Sequence, residues 1–233
     1  MANGIYAALS GAVAEARALE VAANNLANVS TTGFKKEKLS FREVLAGQDT
    51  TQRQVRIEPT GTDFTQGATT RTGAPLDAAI LGPGFFVVRT PAGERYTRAG
   101  SFTLDAKGTL VTASGDPVLG AGGPINVSPG ESVAIDPTGA VMKGDEEVGR
   151  LKVVDFADPQ ALQRLGDSQW SANGQTPTAV TTRLEPGALE QSNVNAVEGM
   201  TELIMISRAY EGFARTLENY NQVDQRTTTE LGR

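Results

Sequence analysis

Helical spacing of apolar positions occurs at both ends of the chain, and a long middle region punctuated by Gly and Pro carries the short apolar runs of strands. From the N-terminus, apolar or small residues fall at Ile5, Leu9, Ala12, Ala16, Leu19, Ala23 and Leu26, in alternating steps of four and three. This a/d heptad keeps one stripe of a helix facing a partner helix. Three of its positions are alanine, so the partner can approach closely. The spacing predicts one helix over residues 2–33, with Asn3 as its N-cap. It closes on the run ANNLANVSTTGFK, Ala23 to Lys35. Asn24, Asn25 and Asn28 are poor helix formers. Asn24 and Asn28 share a face at i,i+4, and each amide offers both donors and an acceptor, so this end is expected to hydrogen-bond a neighbour. Gly33 suits the left-handed position after a helix, and Phe34 follows it.

The far C-terminus answers this stripe. Leu203, Tyr210, Leu217 and Leu231 lie at multiples of seven, and Ile206, Phe213 and Tyr220 form a second track. Asn195 is the expected N-cap, with Glu198 three residues on as in a capping box. Asp224 and Thr227 break the seam late, so the last turns are expected to meet water or another chain. A thin alanine-rich seam does not offset the entropy of ordering the N-terminal segment alone. That segment is expected to fluctuate in the monomer and to order on assembly.

Between the helices, Leu39, Phe41, Val44 and Leu45 make a short apolar patch, and alternation around Val55 and Ile57 suggests a strand. Pro59 and Gly61 suggest a turn. Residues 36–70 read as an extended connecting arm. Residues 71–185 read as β-rich, with strand signals at Gly84–Val88, Arg95–Arg98, Ser101–Leu104, Thr109–Thr112 and Gly149–Phe156. Asp105–Gly108 and Asp136–Gly139 share one frame, a hairpin whose Asp bonds the turn backbone and whose Gly takes positive φ. The segment Asp158 to Gly166 suggests a helical turn from the spacing of Leu162 and Leu165, and Trp170 reads as a core or strand-edge residue. The fold class is α+β: residues 1–35 and 186–233 form a discontinuous coiled-coil domain, and 71–185 an intervening β-rich domain.

Composition narrows the function. The chain has 233 residues, 26 of them Gly and 11 Pro, and a net charge of -6. An acidic chain is a poor match for nucleic acid or an anionic membrane. The one basic cluster, Lys35-Lys36-Glu37-Lys38, reads as a solvated helix exit. There is no 18-residue apolar run, so no membrane insertion is expected. The N-terminus lacks a basic region followed by an uninterrupted apolar one, so it does not read as a cleavable secretory signal. With no Cys and no His, the commonest general base, nucleophilic dyads and transition-metal sites are missing. There is no P-loop or dinucleotide fingerprint. Asp105, Asp136 and Asp155 could be paired as glycan-cleaving carboxylates, but the first two already have turn roles. No enzyme activity, cofactor, metal or small-molecule substrate is expected.

The quoted runs carry a resemblance. The N-terminal run ANNLANVSTTGFK is joined by Leu76-Asp77, Ile80, Gly82, Gly84-Phe85-Phe86, Tyr96-Thr97-Arg98, Gly100, Phe102, Asp105, Gly108-Thr109-Leu110-Val111 and Gly115. Near the C-terminus come Gly187-Ala188-Leu189-Glu190, Ser192-Asn193-Val194-Asn195, Glu198, Met200 and Arg208-Ala209-Tyr210-Glu211. Together these resemble the signatures of the bacterial flagellar rod and hook family over nearly the whole chain. The resemblance implies a structural subunit of the periplasmic rod, exported unprocessed through the flagellum's own type III apparatus. It would assemble with its own copies and with other rod proteins, and transmit torque from motor to hook. The implied interface is Ile5, Leu9, Leu19, Asn24, Asn25, Leu26, Asn28, Gly33 and Phe34 on one helix and Leu203, Ile206, Tyr210, Phe213, Leu217 and Tyr220 on the other. The implied β-domain signature is Gly84, Phe85, Phe86, Tyr96, Arg98, Gly100, Asp105 and Gly108. The length is short for a hook protein of usual build, and no Gly-rich insert surrounds Thr60-Gly61-Thr62. The length speaks against a hook protein and the missing insert against the distal rod member, so a proximal rod member is favoured, with the distal one as runner-up. A secreted β-rich adhesin is the alternative from another class.

Overall fold

The computed structural model describes residues 2–39, 41–45, 53–57, 61–128 and 132–231. The chain divides into two compact units. A helical unit comprises Met1–Ala27, Glu37–Asp63 and Val194–Arg233, and a β unit comprises Asn28–Lys36 and Phe64–Asn193.

In the helical unit, α1 (Ala2–Ala27) and α2 (Ala196–Leu231) lie side by side. Their sense is antiparallel: Gly11 abuts the Phe213 ring, while Leu26 reaches Gly199. Gly11 is a socket, since a Cβ there would stand 2.6 Å from Cε1 of Phe213. The face of α1 that is buried is rotated from the predicted stripe. It consists of Ala8, Gly11, Ala12, Ala14, Ala18, Val21, Ala22 and Asn25, whereas Ile5, Leu19 and Leu26 are half-buried and Leu9 is exposed. Small residues win the inner face because they allow the helices and the strand Arg53–Ile57 to approach α1 closely. On α2 the predicted tracks hold more closely: Leu203, Ile206, Phe213, Leu217 and Tyr220 are half-buried, and Tyr210 is exposed. Asn195 caps α2 as expected, its Oδ1 accepting from the backbone N–H of Val197 (3.0 Å) and Glu198 (3.3 Å).

Three expectations need correction here. The first helix begins at Ala2, ahead of Asn3, and stops at Ala27 rather than at 33. Its end is set by side chains that bond elsewhere: Asn25 exchanges two 2.9 Å hydrogen bonds with the Glu37 backbone, as a strand neighbour would. Asn28 then closes a turn with Thr31. Second, the stretch after Lys36 folds back instead of running on as an arm. Glu37–Lys38 pairs with Gly61–Thr62, and Phe41–Leu45 pairs antiparallel with Arg53–Ile57. Val55 and Ile57 do lie in a strand, while Pro59 falls outside the described residues. Third, residues 186–195 are not helical, since Leu184–Pro186 and Ala188–Glu190 are strands of the β unit.

The β unit is built on a six-stranded antiparallel sheet. Its order is Gln163–Gly166, Gln169–Ser171, Gly93–Thr97, Phe85–Thr90, Val153–Asp155 and Thr178–Ala179. Phe85–Thr90 is central and covered on both faces, which is why it reads as an unbroken apolar run. Phe86 and Val88 enter one core with Ile80, Phe102, Leu110, Val118 and Leu151. Phe85 and Val87 enter another with Tyr96, Phe156 and Trp170. Trp170 is therefore a core residue. The twin frames form as predicted. Asp105 Oδ1 accepts from the N–H of Lys107 and Thr109 (both 2.8 Å), and Asp136 Oδ1 accepts from Thr138 (2.7 Å) and Ala140 (2.9 Å). Gly108 and Gly139 take φ of 80° and 83°. The predicted turn after Asp158 is shorter than expected: Pro159–Ala161 is one 3-10 turn, and Gln163–Gly166 is already a strand.

Candidate functional site: a buried ion cluster and two helix faces

The Thr32-Gly33-Phe34-Lys35 segment leads into the β unit. Gly33 has the left-handed φ expected of it, 66°, but in a turn well past the helix end. A Cβ there would lie 2.3 Å from the Ala99 nitrogen, so no other residue fits. Its N–H donates to the Glu190 carbonyl at 2.8 Å. Phe34 is buried, with the Arg164 guanidinium 4.2 Å above its ring.

Lys35 overturns the solvated reading of the basic cluster. Its side chain and that of Glu190 are both 0% exposed, and Nζ meets Glu190 Oε1 at 2.5 Å. Nζ also donates to the Thr65 carbonyl at 2.7 Å, and the N–H of Gly67 donates to the same Oε1 at 3.0 Å. Arg98 Nη1 donates to Oε2 at 3.3 Å. Burial lowers the Arg98 pKa, opposed by the nearby Glu190 and Asp155 carboxylates. Its guanidinium also lies 5.4 Å from the Phe85 centroid. Two cations thus share one fully buried carboxylate. Lys36 and Lys38 behave differently: Lys36 donates its N–H to Asn193 Oδ1 (2.7 Å), and Lys38, an exposed residue, pairs with Asp63 (2.7 Å).

Of the residues singled out in the sequence, the cluster gathers Gly33, Phe34, Arg98 and Phe85. Phe86 and Tyr96 lie in the cores and Gly84 and Gly100 are buried beside them, while Asp105 and Gly108 serve a hairpin turn. Gly100 is held by close approach, since a Cβ would stand 1.7 Å from the Ala78 carbonyl oxygen. Lys35 and Glu190 were missed as site residues. Both stand inside quoted family signatures, and their opposite charges were the available signal. A cavity of about 290 Å³ lies beside Arg98, lined also by Phe64, Phe85, Pro83, Pro159 and a single carboxylate, Asp155, with no hydroxyl, thiol or imidazole side chain in the lining. Among the described residues, no His/Cys/Asp/Glu group could hold a metal ion, and no helix is long and apolar enough to cross a membrane.

The helical unit presents different chemistry. Asn25 is buried and its amide is used within the chain. Asn24 is exposed, Asn28 half-buried. Large apolar side chains are left in water on both helices: Tyr6, Leu9 and Val13 on α1, and Val197, Met200, Ile204 and Met205 on α2.

Comparison with known proteins covers most of the chain. Residues 5–35 match the family described as flagella basal body rod protein, 79–143 the flagellar hook protein FlgE/F/G D1 domain, and 185–230 the flagellar basal body rod FlgEFG protein C-terminal region. The flagellar basal-body rod protein FlgF of Caulobacter vibrioides is 39% identical, over 100% of this chain and 99% of its own. FlgF of Rhizobium meliloti is 37% identical, over 91% and 90% respectively. The rod protein FlgG of Bacillus subtilis is 32% identical, over 97% of each chain.

Proposed function

The chain belongs to the flagellar basal-body rod protein family, and from that premise we propose how its two units divide the work of a structural rod subunit. It is a structural component of the basal body and not an enzyme, it assembles with other rod proteins, and it takes part in transmitting torque. The FlgF relatives at 39% and 37% identity, above the FlgG relative at 32%, favour the proximal kind of rod member.

The helical unit is the polymerising part. Its α1 and α2 form an inner coiled-coil layer when copies stack, and the β unit forms an outer layer. The observation that carries this reading is the exposed apolar surface of both helices, in contrast to the fully buried cores of the β unit. Apolar faces of this kind on a family of polymer subunits are buried by association. Of the residues predicted for the interface, Leu9 and Tyr210 are exposed and offered to it, together with Tyr6, Val13, Val197, Met200 and Ile204, whereas Asn25, Gly33 and Phe34 hold the chain itself together and Phe213 fills the Gly11 socket. The rod reading carries with it export through the flagellar type III apparatus and a position in the periplasmic part of the rod. The weakly held α1, its inner face mostly alanine, suits an end that fluctuates in the free chain and whose order is completed on assembly.

The test is complementation of a strain lacking the gene. Removing residues 2–27 is the informative truncation, because Asn28–Lys36 belongs to the β unit. It is expected to leave Trp170 buried, as read by fluorescence, while abolishing incorporation and swimming. Leu203→Asp and Phe213→Asp are expected to do the same. Restored swimming by any of the three would overturn the assignment of assembly to the helices.

A further inference from the structure

All the residues lining the cavity beside Arg98 belong to the β unit. Its walls are apolar: the rings of Phe64 and Phe85, packed edge to face at 5.6 Å, with Pro83 and Pro159. The polar side chains in the lining are few and mostly spent. Gln66 uses both ends of its amide, donating to the Ile80 carbonyl (2.8 Å) and accepting from the Gly82 N–H (3.2 Å). Asp155 Oδ1 accepts from the Phe156 N–H at 2.9 Å. Arg98, its side chain only 5% exposed, gives Nη1 to Glu190. Among the described residues its Nε has no hydrogen-bond partner. A buried donor left unpaired is costly, so it marks where an acceptor belongs. The Asp155 carboxylate is near enough for its charge to act on Arg98, yet among the described residues the two form no ion pair.

The charges here are already balanced, Lys35 and Arg98 against Glu190 and Asp155. A ligand with a net charge would therefore strand that charge against one of them. What the cavity leaves unmet is a donor on the guanidinium and an acceptor on the carboxylate. A peptide group supplies the complement, one C=O and one N–H. A free amino acid would instead bring an ammonium and a carboxylate whose surplus donors and acceptors walls of Phe and Pro cannot satisfy. We propose that this cavity is a docking site for an extended segment of a partner protein, which inserts one uncharged aliphatic side chain. A backbone carbonyl beside that side chain accepts from the part of the Arg98 guanidinium that Glu190 leaves unused. A neighbouring N–H donates to Asp155, and the side chain lies against Phe64, Phe85, Pro83 and Pro159. At about 290 Å³ the cavity falls at the lower edge of ligand sites, about 300–1,000 Å³. That size suits one side chain with its adjoining peptide group, not a large cofactor. Glu190, held by Lys35, then acts as a positioning residue that fixes the guanidinium for the contact.

The chain carries its own reporter. Trp170, the only tryptophan, lies 5.6 Å from Phe85 and 5.8 Å from Phe64, ring centre to ring centre. The full-length protein is titrated with N-acetyl-leucine amide, a neutral mimic of one residue in a peptide, and Trp170 emission is followed, with calorimetry as a second readout. A saturable change is expected. N-acetyl-leucine, which carries a negative charge, and leucine amide, which carries a positive one, should each bind about tenfold more weakly or worse. Asp155→Asn keeps an oxygen for the Phe156 N–H but removes the charge and the second acceptor. It should weaken the neutral probe and improve N-acetyl-leucine, reversing their order. No saturable change with any probe would overturn the proposal. So would tightest binding of N-acetyl-leucine to the natural chain, which would mean an anion site, or of free leucine, which would mean a metabolite site. The probe series on the natural chain decides the matter even where Asp155→Asn folds poorly; in a well-folded variant, unchanged affinity for the neutral probe would overturn the peptide geometry. Because the probes act on the free chain, failure here leaves the rod assignment untouched.

Discussion

The two units solve the problem of staying folded in opposite ways. The β unit packs most of its large apolar side chains into two cores and even buries an ion cluster, Lys35–Glu190–Arg98. The helical unit buries alanines and a glycine on α1 and leaves Tyr6, Leu9, Val13, Met200 and Ile204 in water. Alanine contributes little apolar area, so the helix pair holds itself weakly and keeps its larger gains for association. The chain thus combines a self-sufficient part with one that is left incomplete by composition.

The contrast can be broken most forcefully at Glu190. Glu190→Ala leaves Lys35 and Arg98 buried without their shared carboxylate, and removing one partner of a buried pair costs about 3–5 kcal/mol. The β unit should lose that much stability in denaturant, followed by Trp170 fluorescence, since Trp170 is the only tryptophan and lies in its core. Lys35→Met should cost less, because Glu190 keeps Arg98 and Gly67. Equal losses would mean that the cluster does not act as drawn.

In the helical unit the corresponding probe is Phe213→Ala. A fully buried Phe costs about 3–5 kcal/mol on truncation, and half burial brings this to roughly 2 kcal/mol. Helix content by circular dichroism should melt earlier while the Trp170 transition stays in place. Coincident shifts in both signals would show that the units do not unfold separately.

The smallest effect is expected at the twin turns. Backbone N–H donation from Thr109 and Lys107 holds the Asp105 carboxyl below its ordinary value of 3.8. At Asp136, burial pushes upward, but bonds from Thr138 and Ala140 outweigh it. A depressed folded pKa means that the stabilisation is present above the ordinary carboxylate value and is lost as pH falls through the lower, folded one. Acidification below about pH 4 should therefore loosen these hairpins, and Asp105→Asn should flatten that part of the profile. An unchanged acid limb in the variant would remove Asp105 from the account.

What the sequence made legible follows from the range of the interactions. The hairpin frames were readable because an Asp, a Gly and their flanking apolar residues act within a few positions. The strand Phe85–Thr90 and the cap at Asn195 were readable for the same reason. The heptad on α1 gave the existence of a helix but not its inner face, because Ile5, Leu9 and Leu19 look like core residues until the alanines prove to be packed. Lys35 was misread since a lysine in a basic run is usually solvated, and its partner lies 155 positions away. The hairpin Phe41–Leu45 with Arg53–Ile57 was taken for an arm because a long polar stretch separates its strands.

One feature of the β unit bears on mechanics. The chain passes between the units four times, and at three of those passages the neighbouring residues Lys35, Lys36, Thr65 and Asn193 are tied to one another by hydrogen bonds. Within the β unit, a pull that reaches any one of these three segments is therefore shared with the other two through their hydrogen bonds, instead of peeling one segment loose at a time. For a component of a rotating shaft, that is the difference between a seam that shears as a whole and one that unzips.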